Sequence, residues 1–466
     1  MGRPKKEHVL KRVQKQHGVI AVLIVVLGNS AEILGSLQKV NEAVLQLLGY
    51  QWARQVFWGV VLFISIGYGV GYLWLYIRIV APREGSRKIV LALSILLGAG
   101  VAFAGNLALL PKPPLPIWKA VVSQWRDLVF RTQDTSSKGF RGEVKDPASR
   151  PNVFVTAQGL TAVLSGPGLP HQYVGPVKSA FGFMESLRNR SGEEGWGYFE
   201  HSKPSITEIA AWVTVAKVKS LQLGTVWNEQ ESPAIIGTVI RDLQFIVQRQ
   251  DPNGGWSPIS QVSPAATRTY SSAMALWSLV EAFRTPPVRG KMPPAFEGSI
   301  RGGIQWILNS YKNQQGWVPN PNRLYQTESY PGLTAQVLFI LSRAEKDFPY
   351  LREDSTYKTA KHDFLKNEDL VSRSITDDSH LSDRDQYIPP DDVQIEGMTY
   401  LWCPWTLLEY RSLSSDGALS KDEQEAAGKN LSKLYSRYVE VFGRVETGAT
   451  YDLAENLFCI SNALGE

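Results

Sequence analysis

The sequence predicts an all-α protein, with N-terminal transmembrane helices followed by an (α/α)6 toroid. Three observations carry this. Long uncharged runs fill the first 110 residues, a glycine–aromatic mark recurs about every 60 residues beyond them, and the marks separate amphipathic stretches from stretches that are apolar on every side. The expected organisation is a membrane segment over 1–112, with two or three transmembrane helices, and a toroid over 113–466. Of the 466 residues, 44% are hydrophobic and 20% charged, which excludes a disordered or collagen-like chain. Two cysteines, Cys403 and Cys459, exclude a disulfide scaffold and any four-cysteine metal site. The net charge of +5 arises at one end: residues 1–110 hold 12 Lys/Arg against 4 Asp/Glu, and the remainder 37 against 40. The near-neutral balance of the main domain argues against nucleic acid as a partner.

The first element is the membrane segment. Gln55–Ile77 runs 23 residues without charge and Ile89–Leu110 runs 22. Each is long enough to cross roughly 30 Å of hydrocarbon as a helix. Trp58, Tyr68, Tyr72, Trp74 and Tyr76 suit an interfacial belt. Gly18–Leu37, interrupted only by Glu32, is a candidate third span or the apolar part of a signal peptide, behind the basic Arg3–Lys15 start. With three spans, the basic N-terminus and the basic 78–88 loop face the cytoplasm. That makes the chain an integral membrane protein with an extracytoplasmic domain, whereas with only two spans both termini are cytoplasmic.

The toroid follows from punctuation. Gly195-Trp196, Gly255-Trp256 and Gly316-Trp317 lie 60 and 61 residues apart, and Gly139-Phe140 lies 56 before the first. Amphipathic stretches at Ile117–Thr132, Val177–Arg190, Ile236–Gln250, Ile300–Tyr311, Lys358–Val371 and Ala426–Phe442 alternate with apolar stretches. These are Phe154–Leu164, Ile206–Leu221, Thr269–Phe283, Gly332–Leu341, Met398–Tyr410 and Tyr451–Leu464. A helix apolar on all sides must be enclosed, so six polar-then-buried pairs form a double ring. Ser205 and Thr207 are expected to cap the second inner helix, Pro331 to open the fourth, and Thr285-Pro286-Pro287 to stop the third. The inner helices then start at one mouth. Their free N–H groups and positive dipole ends suit an anion or a polar substrate there.

Arg241, Phe245-Ile246, Gln250 and Gly254-Gly255-Trp256 resemble the QW motif of the prenyltransferase and squalene-cyclase repeat superfamily. Lys178, Phe183-Met184, Gly195-Trp196 is a looser copy with Arg188 at the Gln place, and Arg301, Trp306-Ile307, Gly316-Trp317 another with Tyr311 there. The resemblance implies a toroid whose Gln and Trp tie an outer helix to the next turn, and an isoprenoid-like or other lipid ligand. The chain departs from the family's chemistry. Where the cyclases carry Asp-x-Asp-Asp-Thr, this sequence has Ile375-Thr376-Asp377-Asp378-Ser379. The prenyltransferase zinc set of Asp-x-Cys and a later His is missing at both cysteines. No cofactor and no metal site is therefore expected, with Mg²⁺ entering only if Asp377 and Asp378 hold a diphosphate.

Three sets of side chains are candidates for function. Asp377 and Asp378 sit in an acidic insertion. Glu208, Glu328, Glu396 and Asp452 lie near inner-helix starts, where two carboxylates roughly 5–10 Å apart could serve a glycosidase. Tyr270, Tyr330, Trp402, Trp405 and Tyr451 are placed to line a central cavity as ligand-binding aromatics. The leading expectation is a membrane-anchored toroid that binds or processes a lipid. The alternatives are a recognition or effector module for a peptide, glycan or protein partner, and a carbohydrate-active enzyme using the mouth carboxylates.

Overall fold

The computed structural model describes residues 115–166, 168–189, 194–197, 205–259, 267–312, 316–321, 331–367, 380–382, 399–417, 419–445 and 448–465. The chain divides into two units, Met1–Ala120 and Val121–Glu466. In the second unit, helices alternate between an outer and an inner layer. The outer helices are α1 (Leu115–Arg131), α3 (Val174–Ser186), α5 (Ser232–Gln248), α7 (Ala295–Asn309), α9 (Ser355–Lys366) and α11 (Lys421–Val445). The inner ones are α2 (Val153–Leu164), α4 (Thr207–Leu223), α6 (Thr269–Phe283), α8 (Pro331–Glu345), α10 (Trp402–Leu413) and α12 (Thr450–Gly465).

Burial separates the layers as the apolar pattern requires. Every residue of α6 is buried, as is every residue of α4 from Thr207 to Ser220. The outer α5 buries only a stripe, Val239, Asp242, Leu243, Phe245 and Ile246, whose three-to-four spacing marks one helical face. Inner helices touch in series, α2 to α4, α6, α8, α10 and α12, and α12 returns to α2. The fold is thus all-helical and toroid-like, apart from a two-stranded ladder. In that ladder β1 (His380–Ser382) pairs antiparallel with β2 (Thr399–Leu401), His380 opposite Leu401. The fifth inner helix accordingly begins at Trp402 rather than at Met398. Pro404 in its first turn removes an N–H that would have had no helical acceptor.

The caps are partly as expected. Pro331 opens α8, and Thr285-Pro286-Pro287 ends α6 and starts a single turn, Pro286–Arg289. Asn152 and Asp354 cap α2 and α9 by accepting from Val155 and Tyr357 at 2.8 and 2.9 Å. Gly224, at φ +66°, closes α4 in the left-handed region. Ser205 and Thr207, however, do not cap α4. Their hydroxyls are used across the repeat: Ser205 accepts from Asn189 at 2.9 Å, and Thr207 donates to the Ser257 carbonyl at 2.7 Å.

Among the described residues, no helix is long and apolar enough to cross a membrane. The longest, α11, has 25 residues but opens Lys-Asp-Glu-Gln-Glu, and α1 carries Lys119, Arg126, Asp127 and Arg131. The expectation of an integral membrane protein with an extracytoplasmic toroid is not met among the described residues. The stretches where the sequence predicts spans, 18–37, 55–77 and 89–110, lie outside the described residues.

Candidate functional site

The mouth is built by one device used repeatedly. Trp196, Trp256 and Trp317 each donate their indole N–H, at 2.8 Å, to a carbonyl near the end of the preceding outer helix: Met184, Ile246 and Ile307. The backbone N–H groups of Phe140, Trp256 and Trp317 donate to Thr156, Ser272 and Thr334, so each mark also holds its own inner helix. Gln250 adds bonds to the carbonyls of Gly254 and Ser299 at 2.8 and 2.9 Å. Gly254 stands at φ +94°, and a Cβ there would sit 2.5 Å from the Gly302 carbonyl oxygen. Only glycine meets both demands.

The next layer joins neighbouring repeats. The N–H groups of Thr207, Thr269 and Thr450, each the first residue of an inner helix, donate to carbonyls two residues past an aromatic mark. The acceptors are Pro258, Pro319 and Gly142, at 2.8, 2.9 and 2.8 Å. The third bond closes the ring, because Gly142 belongs to the first repeat and Thr450 to the sixth. These three N–H groups are spent on the fold and so are not free for an anion.

The ring's centre is aromatic and filled. Trp277 packs edge-on against Trp212, Phe339 and Phe458, with centroids at 5.1, 6.3 and 5.3 Å, and Trp405 meets Phe339 and Phe458 at 5.8 and 5.4 Å. Full burial of such rings stabilises by about 1.5–3 kcal/mol each. Trp405, expected to line a lipid cavity, therefore spends its ring on neighbours. Tyr270 is buried too, and its hydroxyl accepts from the Trp212 indole at 3.2 Å. The lipid-binding expectation finds no support in this packing.

On the mouth side of that plug stand carboxyl groups that burial inclines to keep their protons. Asp452 and Glu455 lie three apart on α12 and so share a face. Glu455 is buried. It accepts from Gln158 of α2 at 2.9 Å and from the Trp405 indole of α10 at 2.7 Å, both neutral donors. Burial pushes its carboxyl up to about 8, helped by the Asp452 charge and resisted by the two hydrogen bonds. Asp452 is half-buried, and burial with the nearby Glu143 charge pushes it up to about 7. Two coupled carboxyls that hold a proton near neutrality are suited to proton transfer. Glu208 is the third. It accepts from Ser271 on one oxygen, and burial raises its pKa despite Arg249 and Arg268 nearby. Among the described residues, its other oxygen has no hydrogen-bond partner, and the same holds for the buried Gln158 carbonyl oxygen and Trp277 indole N–H.

The structure thus places Glu208, Asp452, Tyr270, Tyr451 and Trp405 on inner helices, with Asp452 and Tyr451 half-exposed in the first turn of α12. Trp402 is the first residue of α10. Asp377, Asp378, Glu328, Glu396 and Tyr330 lie outside the described residues. Glu455 and Gln158 were missed by reasoning from the sequence. The available signal was a second carboxylate one turn past Asp452 on a helix otherwise without charge. Cys459 is a buried thiol. Among the described residues, no group of three or more His, Cys, Asp or Glu could hold a metal ion.

No family model matches the sequence, and no curated protein matches it. Solved structures do match. The α-1,6-mannanase GH76A of Salegentibacter sp. HEL1_6 is 9% identical at a TM-score of 0.53, over 75% of this chain and 100% of that one. An inactive variant of the same enzyme, in complex with α-1,6-mannotriose, gives 11% and 0.51 over the same shares. A D-mannose isomerase is 15% identical at 0.52, over 76% of this chain and 99% of that one. These neighbours belong to the (α/α)6 toroid group of glycosidases and isomerases, and at such identities they speak to the fold. They overturn the resemblance to the prenyltransferase and squalene-cyclase superfamily. The Gln–Trp ties are real in this structure, but they are a way of fastening helix pairs.

Proposed function

We propose that this toroid is a carbohydrate-active enzyme that takes a saccharide at the mouth and moves a proton through the Asp452–Glu455 pair. The observation that carries the reading is this pair, three residues apart on α12, with Glu455 held by Gln158 and the Trp405 indole and both carboxyls pushed up by burial. A carboxylic acid that keeps its proton near pH 7 can deliver it to a glycosidic or carbonyl oxygen. In the ring, Asp452 is the more exposed of the two and so the one that meets the ligand. Glu455 sits behind it, fixed by two donors, and is itself pushed up by burial and by the Asp452 charge. The aromatic plug is the floor of the site, so a sugar enters from the mouth side alone. The similar structures include an α-1,6-mannanase and a D-mannose isomerase, which makes mannose and α-1,6-linked mannooligosaccharides the first substrates to offer.

The test is turnover of these sugars, followed by chromatography of products, with the unaltered protein, Asp452→Asn and Glu455→Gln. Loss of the positioned acid should lower the rate on the order of 10²–10⁴-fold in Asp452→Asn. Activity in the unaltered protein should fall as pH rises through about 7 to about 8, where the pair loses its protons. Full activity in both variants, or neither turnover nor binding of any sugar offered, would refute the reading.

A further inference from the structure

The inner helices share a register, and it stacks the inside of the ring in layers. Trp212, Met274 and Glu455 each stand five residues past the threonine that opens α4, α6 and α12. Gln158, Met274 and Gln336 each stand two residues past the hydroxyl that holds an aromatic mark, on Thr156, Ser272 and Thr334. Met274 belongs to both sets, so all of these lie at one level, and Trp405 joins them through its bond to Glu455. Three residues further on, about one turn deeper, come Trp277, Phe339 and Phe458 of the aromatic plug. Three residues before Glu455, toward the mouth, stands Asp452. The level between rim and plug is the floor that a ligand entering by the mouth would reach.

On this floor the donors find strong acceptors, with one exception. Gln158 and the Trp405 indole donate to Glu455, and the Trp212 indole donates to Tyr270. Gln336 stands on α8, opposite the α2 of Gln158 in the ring, and is 2% exposed. Its amide N–H has only the Met274 sulfur, at 3.7 Å. A thioether is a weak acceptor. Among the described residues the Gln336 oxygen accepts no hydrogen bond; the Gln158 oxygen, equally without a partner, is sealed from solvent, and the Gln336 oxygen is not. Whichever way the amide is turned, one end meets sulfur and the other meets no protein group. A buried amide left in that state is costly. A hydroxyl group satisfies it best, because it accepts from the N–H and donates to the carbonyl.

We propose that Gln336 is the specificity-determining residue of the floor, recognising one hydroxyl group of the saccharide and rejecting analogues that lack it. The proposal rests on the reading of the mouth as a saccharide site. It is tested by calorimetric titration of the full chain with mannose and its monodeoxy analogues, on the unaltered protein and on Gln336→Met, which keeps the volume. One analogue should bind the unaltered protein about tenfold to hundredfold more weakly than mannose. In Gln336→Met, mannose should weaken by a similar factor, and that analogue should bind no worse than mannose. Gln336→Asn keeps the amide but draws it back from the hydroxyl, and it gives the same readout should Gln336→Met fail to melt cooperatively. A Gln336 that only ties α8 to α6 would weaken every sugar alike and leave the deoxy penalty in place. That outcome, or equal binding of all the analogues to the unaltered protein, would overturn the proposal while the reading of the mouth stands. Absence of binding by mannose and by α-1,6-mannooligosaccharides would overturn both.

Discussion

Two regions of the ring bury carboxylates and treat them in opposite ways. At the far end of the inner helices, Lys219, Glu281 and Arg343 occupy positions 62 residues apart on α4, α6 and α8, and their charges alternate. Arg343 grips Glu281 with Nε at 2.8 Å, and Lys219 lies 3.2 Å away. Burial alone would raise the Glu281 carboxyl, but the two cations outweigh it and hold it well below the usual carboxylate range. The same burial pulls the Lys219 ammonium down, so the lysine is the more easily neutralised partner. Near the mouth, Glu455 is equally buried, its hydrogen bonds come from neutral donors, and it rises instead. A carboxylate with cations on both sides fastens helices. One with an indole and an amide keeps its proton available, and that difference marks the site more surely than burial does.

The largest test of the contrast is a pair of isosteric changes. Glu281→Gln leaves the buried Lys219 and the partly exposed Arg343 without this counter-charge and should cost about 3–5 kcal/mol of unfolding free energy. Glu455→Gln removes a charge the fold disfavours and should be neutral or stabilising at pH 8. Urea unfolding of both decides the matter, and equal losses would break the comparison.

The second test is pH. Glu455 and Asp452 bind protons more tightly folded than unfolded, so between their unfolded values near 4 and their folded values of about 8 and about 7 the native state holds more protons. Stability must fall as pH rises through that window, by up to about 1.4 kcal/mol per pH unit for each group. Glu281 has the opposite sign: its contribution is present above about pH 4.5 and is lost as the solution is acidified below that. Glu455→Gln should flatten the alkaline slope and leave the acid limb unchanged in a series of thermal melts.

A smaller effect concerns the Trp ties that both regions depend on. Gly254→Ala combines a left-handed backbone with a Cβ that meets the Gly302 carbonyl, and should cost about 1–3 kcal/mol. A cost this size with unchanged sugar turnover would separate fastening from chemistry.

The double ring was legible in the sequence because inner helices such as Thr269–Phe283 lack a polar face, and because Gly-Trp marks recur where a chain must turn between layers. The site was legible in part. Asp452 and Glu208 are acids at helix starts, where a toroid's mouth is expected. Glu455 sits one turn deeper in the same helix, and its partners Gln158 and Trp405 are distant in sequence, so only the closed ring assembles them. The threonine bonds were hidden for the same reason, since Thr207 meets Pro258 and Thr450 meets Gly142. The Gln–Trp pattern reads as a family mark, and in the structure it does a packing job, with Gln250 and Trp256 bonding the carbonyls of Gly254, Ser299 and Ile246.

The bond from Thr450 to Gly142 also fixes an order of events during synthesis. The two residues are 308 positions apart (450 minus 142), so the ring cannot lock until all the intervening repeats have been made. At about 5–20 residues per second, the first repeat waits on the order of 15–60 s for its partner in the sixth. Through that interval the apolar face of α2 that α12 will cover is open to water and to other chains. A nascent chain of this kind is a client for chaperones, and loss of α12 alone leaves that vulnerability permanent.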